Sequence, residues 1–377
     1  MSVDPGRLRG SQPPGARVNL DRIYLDHNAT TTLRPEARQA MLAALDAANP
    51  SSGHADGRRA RDLVERARAQ VARRFGARPS QVTFVSGATE ACALVIGGRG
   101  GDQVVSAIEH PAVLVPARAL GATIVGVDSA GRLDPDRVAA AVTSSTRLVA
   151  CMAVNNELGI RLDTRAVADR LGATPLLVDA VQAAPRGPVT LATTGATYLV
   201  ISAHKLGGPK GVGALIHRDD APPLTPLMAG GGQERGRRGG TENVPAIVGF
   251  AAACAVEPDR SHLIALHEAL HTGLVGIPGA VIHGDPANTE PGTINLRFEG
   301  VSADDALAEL DANGVSASSG SACATGTRDP SHVLLAVGLT AVQAAGALRF
   351  SVGWNNTQAE IARAVQILRD VVNALRV

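Results

Sequence analysis

Seven short apolar runs, rich in β-branched residues, punctuate the first part of the chain. They are "VTFV" (82–85), "QVVSAI" (103–108), "TIVGV" (123–127), "RLVACMAV" (147–154), "LLVDA" (176–180), "YLVISA" (198–203) and "GALIH" (213–217). Each is bounded by turn residues and is apolar almost throughout rather than alternating, the signature of strands buried on both faces. Helical patterns lie between them. In "ARDLVERARAQVARRFG", Leu63, Ala67, Val71 and Phe75 recur every four residues, and arginines are expected on the opposite face. "RLDPDRVAAAV" opens with Asp134 as a cap and Pro135 just inside, a normal helix start. Alternating strands and helices predict a three-layer α/β/α domain around a mostly parallel seven-stranded sheet. One long helical run is expected over 244–273. The remainder has fewer strands and reads as a smaller α+β unit. The expected division is a disordered lead over residues 1–20, a large domain over 21–256 and a small domain over 257–377.

Composition narrows the functional classes. The 377 residues carry a net charge of +1, which argues against a general nucleic-acid binder. Aromatic residues are only 2%, so the core must be built from Ala, Val and Leu. Cys92, Cys151, Cys254 and Cys323 lie far apart, with neither a CxxC pair nor Cys/His metal spacing. That pattern predicts no structural zinc, no disulfide framework and a cytoplasmic protein with reduced thiols. The first 20 residues lack the apolar segment of a signal peptide, and no apolar run approaches a membrane span.

The positive charge is distributed unevenly by type. Lys and Arg together number 36, yet Lys205 and Lys210, both in "SAHKLGGPKG", are the only lysines. An amine can lose its proton and attack a carbonyl carbon to form a Schiff base, and a guanidinium cannot. Open α/β sheets bind ligands beyond the carboxyl ends of their strands. At those ends stand Thr89, His110, Asn155, Asn156, Asp179 and Lys205, and together they predict one pocket. "SGATEA" (86–91) turns directly from strand to helix. The N–H groups of Ala88 and Thr89, with the Thr89 hydroxyl, would form an anion site at the positive end of the helix dipole. An ordinary cap by Ser86 or Thr89 is the plainer alternative. Ser202 and His204 add donors beside Lys205. A phosphate site, a lysine amine and a buried carboxylate, Asp179, are what pyridoxal 5′-phosphate requires.

Nine stretches, in order, then resemble the cysteine desulfurases, which are class V, fold-type I pyridoxal-phosphate enzymes. They are "YLDHNATT", "NPSSGHADGRRA", "FVSGATE", "EHPAV", "VNNELG", "VDAVQ", "SAHKLGGPKGVGAL", "GGGQERGRRGGTENV" and "SSGSAC". The resemblance implies Lys205 as the Schiff-base lysine, with Lys210 structural. It implies His110 stacked on the pyridine ring, Asp179 on the ring nitrogen and Gln182 on the ring hydroxyl. Asn156 would contact cofactor or substrate, and Ala88, Thr89, Ser202 and His204 would hold the phosphate. Thr241 would reach the phosphate of a neighbouring subunit, which implies a homodimer. Arg349, in "GALRFSVG", would clamp the substrate carboxylate, and a guanidinium fork suits that task. The usual polar residues after "ATE" are replaced here by Ala91-Cys92-Ala93, which predicts a missing hydrogen bond near the phosphate helix.

Cys323 lies in "SASSGSACATGTRD" (316–329), which has no bulky apolar side chain and predicts an exposed, mobile loop. The other three cysteines sit among Ala, Val and Leu and are expected to be buried. The resemblance makes Cys323 the thiol that takes sulfur from L-cysteine as a persulfide, releasing L-alanine. It resembles the group with the long mobile loop. The sulfur would pass to an acceptor such as an iron–sulfur scaffold protein, or toward thio-cofactors. A selenocysteine lyase or another class V lyase or aminotransferase is the alternative within the fold. An inactive sulfur-transfer scaffold is the alternative outside catalysis, and the intact Lys, Asp, His and Cys set argues against it.

Overall fold

The seven apolar runs form one sheet in the computed structural model, which describes residues 22–319 and 330–376. Its strands are β1 (Val82–Val85), β2 (Asp102–Ser106), β3 (Thr123–Val125), β4 (Thr146–Met152), β5 (Leu176–Asp179), β6 (Tyr198–Ser202) and β7 (Gly213–His217). The spatial order is β1-β7-β6-β5-β4-β2-β3. Only β7 runs against the rest, pairing antiparallel with both β1 and β6. The other neighbours are parallel. Several strands stop short of their apolar run. Ile108 and Val154 are buried, but they lie in loops beyond the carboxyl ends of β2 and β4, where the backbone turns to build the rim.

Helices cover both faces. In helix α1 (Ala55–Arg74), the buried stripe is Ala60, Val64, Ala67 and Val71, so Val64 takes the place expected of Leu63, which is half-buried. His54 caps the helix by accepting from the Gly57 N–H at 3.2 Å. Gly76, at φ +62°, ends it where a side chain would be strained. The arginine face is not wholly solvated. Arg68 is buried and forms a two-pronged pair with Glu234, at 2.6 and 2.9 Å. Asp134 caps helix α3 (Pro135–Ala141) as expected, accepting from the Asp136 N–H at 2.9 Å.

The expected single helix over 244–273 is two. Helix α4 (Val244–Cys254) and helix α5 (Arg260–Val275) are separated by a break at Pro258 and Asp259. Proline cannot donate to the preceding turn. Asp259 starts a new helix by accepting from the His262 N–H at 2.9 Å. Beyond the break, strands β8 (Ala280–Ile282), β9 (Thr293–Phe298), β10 (Ser318–Ser319) and β11 (Ala347–Ser351) form an antiparallel sheet in the order β10-β11-β9-β8. Helix α5 and helix α6 (Gln358–Leu375) help close its core with Leu266, Leu270, Leu368 and Val372. Ile23 and Leu25 join that core, and Ile23–Tyr24 pairs in parallel with Val315–Ser316. Residues 1–20 and most of the 316–329 loop, including Cys323, lie outside the described residues.

Candidate active site

A cleft of about 610 Å³ opens at the carboxyl ends of the parallel strands. This is the volume range of small-molecule sites. One wall is the β1-to-helix turn. Helix α2 (Ala88–Arg99) begins after Gly87, and no side chain caps it, so its first N–H groups are left for a ligand. The alternative, an ordinary side-chain cap by Ser86 or Thr89, does not form. β7 runs hard against this turn: a side chain at Gly213 would sit 3.0 Å from the Gly87 Cα. Ala88 and Thr89 line the cleft, with Ser202 and His204 from the end of β6. Ala91 and Cys92 pack into an apolar cluster with Leu114 and Val200, which is the physical context of the missing polar residues.

Glu90, in the first turn of α2, bears a negative charge next to this anion-ready end. It accepts from the Ser86 N–H at 2.7 Å and pairs with Arg238 at 2.9 Å. Burial alone would raise its carboxyl, but those bonds outweigh it and hold the group below the ordinary value. Arg238 thus neutralises Glu90 locally.

On the opposite side, Lys205 Nζ donates to the carbonyls of Asn28 and Ala29, the latter at 2.7 Å. Gln182 Nε2 donates to the same Asn28 carbonyl at 3.0 Å. Asp179 ends β5 and is buried, with one oxygen accepting from the Val181 N–H at 2.9 Å. Burial pushes its carboxyl up to about 6, although the Val181 N–H and then Lys205 pull the other way. Burial, with help from the Lys205 charge, pushes His110 down to about 4, so its imidazole is neutral. His110 Nδ1 accepts from the Ala112 N–H at 3.1 Å, which places the ring proton on Nε2. Burial and then the two lysines likewise lower His204 to about 4.

Arg349, on β11, reaches the cleft with its side chain only 2% exposed. One Nη donates to Asp26 at 2.7 Å and the other to the Asn156 carbonyl at 3.1 Å. Asn155 and Asn156 divide their work. Asn155 is fully buried and builds the turn, its Oδ1 accepting from the Glu157 and Leu158 N–H groups, whereas Asn156 lines the cleft. Both lysines line it too, Lys205 half-buried and Lys210 exposed.

Ala88, Thr89, His110, Asn156, Asp179, Gln182, Ser202, His204, Lys205 and Arg349 therefore share one cleft. Thr241 does not. It is exposed, in a separate hollow with Ser86, Glu234 and Arg238. Sequence reasoning assigned no role to Asn28 or Arg186. Asn28 offers its carbonyl to Lys205, while its side chain accepts from Arg186 at 2.5 Å and donates to Thr293 at 2.8 Å. The stretch "YLDHNATT" held that signal, but its partners are distant in sequence.

The chain belongs to the aminotransferase class-V family, whose model matches residues 23–364. It is 42% identical to a cysteine desulfurase of Frankia sp. (strain EuIK1), over 94% of this chain and 92% of that protein. Within the family it belongs to the cysteine desulfurases. The solved structure of a NifS-like protein superposes with a TM-score of 0.86 at 32% identity, covering 94% of this chain and all of that one. That of SspA in complex with cysteine superposes with a TM-score of 0.79 at 29% identity, covering 88% and 98%. Among the described residues no helix is long and apolar enough to cross a membrane, and no cluster of potential metal ligands occurs.

Proposed function

We propose that this protein binds pyridoxal 5′-phosphate and transfers the sulfur of L-cysteine to Cys323, leaving a persulfide and releasing L-alanine. The observation that carries the reading is the convergence of the uncapped α2 N-terminus, buried Asp179 and the Lys205 amine on one cleft. These residues fit the cofactor. When bound, it supplies an electron sink conjugated with the substrate α-carbon. Ala88, Thr89, Ser202 and His204 would hold the phosphate, and Lys205 would carry the aldehyde carbon. Asp179, raised only to about 6, can still give up its proton to pair with a ring nitrogen. His110 would lie on the ring and Gln182 at its hydroxyl. Neutral His110 or Lys205 would move the α-proton. Arg349 and Asn156 would orient the substrate carboxylate.

Thr241 would serve the phosphate of a second copy, making the working form a homodimer. The exposed position of Thr241, away from its own cleft, agrees with that role. We place the enzyme in the cytoplasm, with a sulfur-acceptor protein such as an iron–sulfur scaffold as partner.

The test is Cys323→Ala. The variant should remain yellow, still change its spectrum with L-cysteine, and make almost no alanine. Wild-type protein given L-cysteine without reductant should gain the mass of one sulfur on the Cys323 peptide. Near-normal alanine from the variant, or sulfur on Cys92, Cys151 or Cys254, overturns the assignment. L-selenocysteine, run in parallel, separates the lyase alternative.

A further inference from the structure

Glu109 is completely buried, has no assigned role, and immediately precedes His110. β2 ends at Ser106, while its neighbour β4 continues to Met152. N–H groups along a parallel strand point alternately to its two neighbours. The Ala153 N–H reaches β5, donating to the Asp179 carbonyl at 2.8 Å. The Met152 N–H therefore faces the side where β2 has run out. Glu109 supplies the missing acceptor: its Oε1 takes the Met152 N–H at 2.8 Å. A buried N–H without a partner would cost about 1–3 kcal/mol, so this bond fixes where Glu109 must lie.

Two further bonds pin the same segment. Asn155 Nδ2 donates to the Ile108 carbonyl at 3.0 Å, and His332 Nε2 donates to the Glu109 carbonyl at 2.9 Å. Met152 is paired in register with Asp179, so the bond also references His110 to the carboxylate across the cleft. We propose that Glu109 is a positioning residue, whose carboxyl group extends the β2–β4 ladder past the end of β2 and thereby sets His110 over the cofactor cleft. Burial, and then the nearby Asp179, push the Glu109 carboxyl up to about 8. At neutral pH it is largely a neutral acid, and its carbonyl oxygen accepts from Met152 as an amide would.

This inference rests on the cofactor reading above, and a double-mutant cycle in the holoenzyme separates the two. Glu109→Leu, Glu109→Gln, His110→Ala and the double variant Glu109→Leu/His110→Ala are compared. The readouts are the visible band of the bound cofactor, its pH titration, and kcat against KM. Glu109→Leu should shift the band in the direction that His110→Ala does and lower kcat/KM on the order of 10- to 100-fold. The double variant should show no further shift. Glu109→Gln should restore the band, because its carbonyl still accepts from Met152. Where Glu109→Leu fails to fold, Glu109→Asp, one methylene too short for the bond, takes its place in the cycle. Additive shifts, an unchanged band in the Leu or Asp variant, or failure of Gln to rescue overturns the proposal. Absence of any band in wild-type protein given pyridoxal phosphate instead refutes the cofactor reading.

Discussion

Replacing Arg349 by Lys keeps the charge and removes the fork. The guanidinium is nearly enclosed, and its two outer nitrogens are already held by Asp26 at 2.7 Å and the Asn156 carbonyl at 3.1 Å. Each outer nitrogen has a second N–H, and those two can meet a substrate carboxylate side by side. A lysine ammonium has three donors on one atom. If it keeps Asp26 and the Asn156 carbonyl, one donor remains. The substrate then loses one charge-assisted bond, worth about 1.5–3 kcal/mol. At about 1.4 kcal/mol per tenfold, kcat/KM for L-cysteine should fall roughly 10- to 150-fold. The carboxylate keeps its charge throughout the reaction, so the loss should appear mainly in KM. Steady-state alanine formation measures it, and thermal unfolding checks that Asp26 and Asn156 are still tied down. Cysteamine, which lacks the carboxylate, is the internal control: its spectral titration of the bound cofactor should scarcely change. A fall in kcat at constant KM, or equal losses toward cysteamine and L-cysteine, would refute the clamp.

The two lysines should behave differently: Lys205→Ala should lose the cofactor's visible band and turnover, while Lys210→Arg keeps the band, and the reverse pattern would exchange their roles. Sedimentation at assay concentration should find a dimer, and an active monomer would sink the cross-subunit role of Thr241. Cofactor-free protein should be most heat-stable between roughly pH 6 and 7. Burial raises Glu109 to about 8 and Glu157 to about 7, so the folded chain holds protons that the unfolded chain releases above the ordinary 4.5. Between pH 6.5 and 8 these two carboxyls alone remove about 2 kcal/mol, which His27, His110, His204 and His267, held neutral in the fold, partly offset. His27 works the other way. Burial and then Arg186 hold it neutral to about 4, so stability falls as pH drops below its ordinary 6.5. A melting temperature that climbs steadily from pH 6 to 8 contradicts this balance.

Sequence alone determined the seven strands, the sheet type and the polar residues at the strand ends. These are local properties: burial on both faces writes continuous apolar runs, and a strand-to-helix turn must display whatever follows it. It also singled out Lys205, because an amine among arginines is a chemical contrast needing no partner to be noticed. Tertiary structure decided what depended on neighbours far along the chain. The helical pattern over 244–273 was long enough to be one helix, and the break came from Pro258 with the cap at Asp259. Arg68 looked like one more solvated arginine until Glu234, far along the chain, met it in the core. Asn155 and Asn156 are adjacent and identical in type, and only the path of the turn sends one into the backbone and the other into the cleft. Glu109 stood in the stretch "EHPAV", but its role was not legible there, since its value lies in where β2 stops and β4 does not. A residue type announces what chemistry it can do, but a partner within 3 Å is a property of the folded chain, and the pattern of one segment does not contain it.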